Sequence, residues 1–203
     1  MRPFPSLGGM AGKRESGRVA AVGVLLALAS VAAYLPVVEL DFTNYDDPSC
    51  ATDNPLVQAR LTWAGLGGAF TWHTGNWHPL TWLSHMLDYQ LYGLNPAGYH
   101  LTNLFFHVAN TVLLFLLLRS LTGALWRSTC VAALFALHPV HVESVAWASE
   151  RKDVLSAFFG LLCLWAHGRY AQKAGGRSPP PPARLRPGLA ALGGHPAPPA
   201  KDP

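Results

Sequence analysis

The chain has 203 residues, half of them hydrophobic, yet only 13% are charged, against about 25% in an ordinary soluble domain. That deficit excludes a typical water-solvated globule and implicates lipid as part of the solvent. The formal charge of +4 could suit nucleic acid, but the bases form no continuous stripe and no nucleic-acid motif occurs, so no nucleic-acid partner is expected.

In chain order, residues 1–18 read as a cytoplasmic segment carrying Lys13, Arg14 and Arg18. The first apolar run, 19–38, has no charge and, at about 1.5 Å per residue, is long enough to cross a hydrocarbon core roughly 30 Å thick. A secretory signal peptide competes with this reading, because Ser30-Val31-Ala32 resembles a small-x-small cleavage site. The apolar stretch outruns a usual signal-peptide core, which favours an uncleaved helix. A long loop, 39–98, then holds Glu39, Asp41, Asp46, Asp47, Asp53 and Asp88 against a single base, Arg60. Its aromatics, Trp63, Trp72, Trp77, Trp82, Tyr89 and Tyr92, suit the headgroup layer, where an amphipathic ring keeps one edge wet. Pro79 can open a helix in which Leu80, Leu83, Leu87 and Leu91 recur every three to four residues, predicting a helix that lies on the membrane surface.

Asn95-Pro96-Ala97-Gly98 turns the chain into the second crossing, 99–118, whose end "VLLFLLL" is the strongest spanning signal. The third, 128–147, is uniformly apolar only from Thr129 to Leu137, before His138, Pro139, His141 and Glu143 intrude. Polar groups at that depth are costly unless they line a cavity. A fourth crossing is expected at 154–170. The prediction is an all-α integral membrane protein with about four transmembrane helices. Lys13, Arg14, Arg18, Arg119, Arg127, Arg169, Lys173 and Arg177 all fall on one side, which makes both termini cytoplasmic and the 39–98 loop external. Only "ERKD", Glu150 to Asp153, breaks that asymmetry. From 173 to 203 Pro and Gly are too dense to bury a core, so a disordered tail is expected. Cys130 and Cys163 lie in apolar segments and Cys50 outside them, so no intramolecular disulfide is expected.

Two polar clusters share the outer face: Asp46-Asp47, and the run from His138 to Asp153. A carboxylate where water meets lipid can take a proton from an incoming hydroxyl, while Arg151 and Lys152 can hold a phosphate. Together they point to transfer from a lipid-linked phosphate donor to a hydroxyl acceptor. Plainer readings stand beside this one. An Asp pair before Pro48 is common at turns, and Glu150 to Asp153 can be a solvated turn with Asp153 capping the fourth segment. His138 and His141 raise the question of metal or haem, but no H-E-x-x-H, C-x-x-C or C-x-x-C-H motif occurs, so no metal site and no cofactor are expected.

The stretches "NWHPLTWLSHMLDYQLYGLNPAGYHLTNLFFHVANTVLLFLL" and "LFALHPVHVESVAWASERKDVLSAFFGLL" resemble the amino-terminal membrane half of the transmembrane and tetratricopeptide-repeat O-mannosyltransferase family and its bacterial relatives, within the GT-C superfamily. The resemblance covers about 19–172. It implies a multi-pass protein, in a bacterial inner membrane if the bacterial relatives are the guide. It also implies a polyprenyl-phosphate sugar donor, usually mannose, a protein Ser/Thr acceptor and inversion at the anomeric centre. By resemblance Asp46 or Asp47 is the base, and charge and topology add Arg151 and Lys152 as donor-phosphate ligands. His138, His141, Glu143 and Glu150 are candidates for lining the cavity. The family has more crossings than four and appends repeats of about 34 residues, none of which is seen in this chain. The Pro/Gly/Arg-rich tail is of the kind a shifted reading frame gives, so a truncated product is expected. The alternative is a non-catalytic membrane module of the same family, with the missing helices or repeats supplied as a separate chain.

Overall fold

A computed structural model of the chain describes residues 7–71 and 77–175. The described residues up to 168 form one compact unit; of the second, 169–203, only the close of the last helix is described. Among the described residues there are helices and turns and no strand.

Helix α1, Leu7–Tyr34, carries the first apolar run and passes into a 3-10 turn, Leu35–Glu39, at Pro36. Proline has no N–H to donate and its ring opposes continuation of the α-helix, so the chain tightens there and leaves in extended conformation at Leu40. In the loop, a short π-turn at Pro48–Thr52 is followed by α2, Pro55–Gln58, and α3, Trp63–Ala69. Each of these two helices is started by a side-chain cap: Asn54 Oδ1 accepts from Leu56 N at 2.9 Å, and Thr62 Oγ1 accepts from Gly65 N at 3.1 Å.

Helix α4, Pro79–Tyr92, begins with Pro79 in its first turn and stops at Gly93, whose φ of 63° favours glycine. Its Leu80, Leu87 and Leu91 face outward, 51%, 44% and 63% exposed, while Thr81, Trp82, His85, Met86 and Asp88 face the protein. Leu83, the other leucine of the expected stripe, instead packs against the buried Trp82 and Met86, so the helix has apolar residues on both sides. Trp82, expected among the headgroup-layer aromatics, is instead core, packed with Val57, Ala69 and Met86. Trp63 and Trp77 are exposed, and Trp72 lies outside the described residues.

Helix α5, Pro96–Thr122, is started by Asn95, whose Oδ1 accepts from Ala97 N, and ended by Gly123 at φ 68°. It is the axis of the fold, packing against α1, α4 and the two elements that follow it. Leu26 of α1, Phe115 of α5 and Ala132 of the next helix form one buried cluster; Tyr34, Val37, Leu104 and Val145 form another nearer the loop. Segments Arg14–Glu39 and Pro96–Thr122, with mean hydropathy 2.3 and 1.9, are long and apolar enough to cross a membrane.

The predicted crossing at 128–147 is not one helix. Helix α6, Leu125–Leu137, has 13 residues and so spans only about 20 Å. It ends because Pro139 pushes His138 out of the α region, to φ −70° and ψ 129°. The chain resumes as α7, His141–Ala146, and a 3-10 turn, Ala148–Glu150, before α8, Arg151–Gly175. Residues 154–170, the expected fourth crossing, lie within α8, which is not among the described helices long and apolar enough to cross a membrane. The expected tail, 173–203, lies outside the described residues except for 173–175, which close that helix.

Candidate functional site

The acidic pair lies where the loop enters its π-turn, and its two members face different surroundings. The Asp47 carboxylate is fully buried and accepts from Thr43 N at 2.7 Å and from Ser149 N at 2.9 Å. One oxygen therefore closes its own turn, and the other ties the loop to the segment just before α8. Asp46 is half-buried and lines a cavity of about 140 Å³ together with Cys50, His78, Trp82, Ser149 and Lys152.

Lys152 brings a positive charge to that cavity. Its Nζ is 2.7 Å from Glu150 Oε1. Partial burial pulls its pKa down, but the hydrogen bond and charge of Glu150 more than offset this and hold it above the ordinary lysine value, so the ammonium stays charged. Burial also pushes the Cys50 thiol up, so the neighbouring sulfur is held as a thiol and not as a thiolate.

Arg151 faces the protein interior. Its side chain is fully buried and surrounded by oxygens: Nη2 donates to Asp88 Oδ2 at 2.7 Å and to Tyr99 O at 2.9 Å, Nη1 to Ser84 Oγ at 2.6 Å, and Nε to Asn103 Oδ1. Asn103 is itself oriented by donating to Trp147 O at 2.9 Å, and Thr102 Oγ1 donates to the other Asp88 oxygen at 2.8 Å. Burial raises the Asp88 pKa and the Arg151 charge opposes that rise. Beside them His85 is fully buried; burial first, and the Arg151 charge second, hold its pKa well below the ordinary histidine value, so the ring is neutral. Arg151 thus joins α4, α5 and α8 and is not among the residues that line the Asp46 cavity.

The remaining predicted residues fall elsewhere. His138 is exposed at the α6 break; its carbonyl accepts from Tyr34 Oη at 3.1 Å, and its ring borders an apolar groove with Cys130, Leu134 and Leu137. His141 lines a separate cavity between α5 and α8, and Glu143 is exposed. Of the eight predicted site residues, the structure therefore gathers Asp46, Lys152 and, through Lys152, Glu150. Cys50, Cys130 and Cys163 are free thiols. Among the described residues, no three His, Cys, Asp or Glu side chains are gathered so as to hold a metal.

No family profile matches the chain and no solved structure matches it. Curated relatives do. Protein O-mannosyl-transferase Tmtc1 of Drosophila melanogaster is 34% identical over 158 residues, which is 72% of this chain and 18% of the fly protein. Protein O-mannosyl-transferase TMTC2 of Homo sapiens is 31% identical over 153 residues, 71% of this chain and 18% of the human protein. Protein O-mannosyl-transferase TMTC3 of Homo sapiens is 36% identical over 133 residues, 62% and 14% respectively. The chain belongs to the transmembrane and tetratricopeptide-repeat, or TMTC, family. It spans under a fifth of the length of these relatives.

In this TMTC chain, sequence reasoning missed the partners that fix the site. Asp88 counted only as one more loop acid, although it is the counter-ion of Arg151. Asn103 and Asn110 were absorbed into an apolar run. A polar amide inside a membrane-length helix is a signal that something must satisfy it, and here both hold backbone carbonyls at the start of α8 or just before it.

Proposed function

We propose that this TMTC chain is the acceptor-loop part of a glycosyltransferase that moves a sugar, mannose in the reading its relatives' names support, from a polyprenyl-phosphate donor to protein Ser/Thr hydroxyls. Asp46 is the general base. It takes the proton of the attacking hydroxyl as that oxygen bonds the anomeric carbon, and the lipid phosphate leaves with the electrons of the broken bond. Lys152 stabilises the negative charge that grows on the leaving phosphate, with Glu150 holding the ammonium in place. Asp47 and Arg151 are positioning residues: the first fixes the loop against the residues before α8, and the second fixes α8 against α4 and α5.

The observation that carries this reading is the Asp46 cavity. It combines a carboxylate not used up by backbone N–H groups with a charged lysine, at the end of the molecule where α1 delivers the loop. In the membrane, the apolar stretches of α1 and α5 are two crossings, α6 with α7 a third and residues 154–170 of α8 a fourth, with both termini cytoplasmic and the cavity external. Because the chain matches under a fifth of its relatives, a second reading has support. In it the segment supplies the acceptor loop and phosphate contact, while transfer needs further helices provided by another chain.

The test is transfer of labelled mannose from polyprenyl-phosphate mannose in membranes containing the full chain. Asp46→Asn is expected to lower transfer by roughly 10²–10⁴-fold, the range for loss of a general base, with unchanged membrane abundance. Lys152→Met is expected to lower it in the same assay while Arg151 remains. Transfer undiminished in Asp46→Asn rules out the assignment of the base. No transfer from folded wild-type chain selects the module reading.

A further inference from the structure

The Asp46 cavity has a neighbour that the chemistry above does not use. An open groove of about 390 Å³ runs beside it, between the start of α4 and the start of α8, and His78, Thr81 and Lys152 belong to the walls of both. Beyond these three residues its lining is Trp77, Pro79, Leu80, Leu155, Ser156 and Phe159. Lys152, Leu155, Ser156 and Phe159 recur at intervals of three and four residues, so α8 turns one face to the groove, with its charge where the groove meets the cavity. Farther along, the hydrogen-bonding groups are already used: Trp77 Nε1 donates to Phe70 O at 3.0 Å, and Ser156 Oγ to Asp153 O at 2.9 Å. What remains there is hydrocarbon and aromatic surface. The junction, by contrast, offers donors. The Lys152 ammonium is charged, the hydroxyl of the buried Thr81 has no hydrogen-bond partner among the described residues, and His78 places no side-chain cap on the first turn of α4.

A cation and open donors at the end of an apolar groove fit a ligand with an anionic head and a hydrocarbon chain. We propose that the groove between α4 and α8 holds the polyprenyl chain of the lipid donor, its first isoprene units lying against Leu80, Leu155 and Phe159 while its phosphate meets Lys152 and Thr81. The donor then enters sideways from the membrane, and its sugar is delivered into the cavity that Asp46 lines. This inference rests on the polyprenyl-phosphate reading above and adds the residues that select the chain. A diacyl phospholipid shares the phosphate, but beside it carries glycerol esters, whose carbonyl oxygens would be desolvated against Leu80 and Leu155 with no donor to meet them. In a polyprenyl phosphate the same stretch is hydrocarbon.

The experiment measures binding of farnesyl phosphate, farnesol, short-chain phosphatidic acid and inorganic phosphate to the purified full chain in detergent. Farnesyl phosphate is expected to bind about tenfold or more tighter than farnesol, the size of a charge-assisted hydrogen bond, and tighter than phosphatidic acid. Lys152→Met should erase the first difference by lowering farnesyl phosphate to the level of farnesol. Leu80→Ala and Phe159→Ala, at side chains about half exposed, should each weaken both isoprenoids about threefold or more, whereas Leu164→Ala, at an exposed leucine of α8 outside the groove, should change neither. Thermal unfolding of each variant verifies the fold. Isoprenoid binding that ignores Leu80→Ala and Phe159→Ala, or that Leu164→Ala weakens as much, overturns the groove and leaves the Asp46 assignment to the transfer assay. Phosphatidic acid or inorganic phosphate binding as tightly as farnesyl phosphate overturns the polyprenyl assignment. The groove stands, and only the base fails, if the expected affinities are found while Asp46→Asn transfers mannose undiminished.

Discussion

Arg151 and Asp88 form an ion pair from which water is excluded, with the arginine fork also held by Ser84, Asn103 and Tyr99. Removing one end leaves an uncompensated charge in a dry site, which costs about 3–5 kcal/mol, whereas replacing both ends by apolar groups costs far less. Arg151→Met and Asp88→Asn should each lose roughly that much stability, and Arg151→Met with Asp88→Leu should recover most of it, as read by thermal unfolding of the purified chain. Lys152→Met, at a side chain 42% exposed, should change stability by no more than about 1 kcal/mol. Sequence reasoning grouped Arg151 with Lys152, and Asp46 with Asp47, because they are neighbours. On a helix, however, consecutive side chains diverge by about 100°, so Arg151 and Lys152 at the start of α8 cannot face the same place. Adjacency put forward the candidate residues, but which member of each pair faces the cavity depends on Ser149, Asp88 and Asn103, brought in from other parts of the chain.

At the scale of elements, the join between α4 and α5 is held by close contact at Gly98. A Cβ added there would come within 2.2 Å of Tyr92 Cγ and 2.6 Å of Tyr92 Cβ, too near the backbone for the ring simply to swing aside. Gly98→Ala should therefore destabilise by about 1–3 kcal/mol, the usual cost of overpacking, while Gly17→Ala, with nothing near its added Cβ, should not, a comparison made by the same unfolding measurement. The starts of α4 and α5 were legible because Pro79 and Asn95-Pro96 act locally. The division of the third apolar segment into α6 and α7 was less so. Length and hydropathy average over His138-Pro139, but the backbone cannot, since proline restricts the residue before it and offers no N–H to the turn behind it.

For the whole molecule, the proposed topology makes a directional prediction through Cys50, whose thiol borders the Asp46 cavity. A membrane-impermeant maleimide should modify it in intact cells or right-side-out vesicles and not from the cytoplasmic side, slowly at neutral pH because burial raises its pKa, and faster as pH rises. Labelling from the cytoplasmic side alone would invert the topology. The all-helical architecture was legible from composition and apolar length, and family membership from two long stretches of sequence. The assembled site was not, because it depends on pairings such as Asp47 with Ser149, 102 residues apart, that no local pattern encodes.

That last pairing limits how such a chain can diversify. With one carboxylate fastened to Thr43 N and Ser149 N together, an insertion or deletion on either side of the tether would pull the other side out of register, so the two segments must be inherited as a matched set. The freedom to acquire new recognition is left to exposed side chains such as Asn44, whereas Tyr45, though exposed, rests its ring against Trp147 beside the tether.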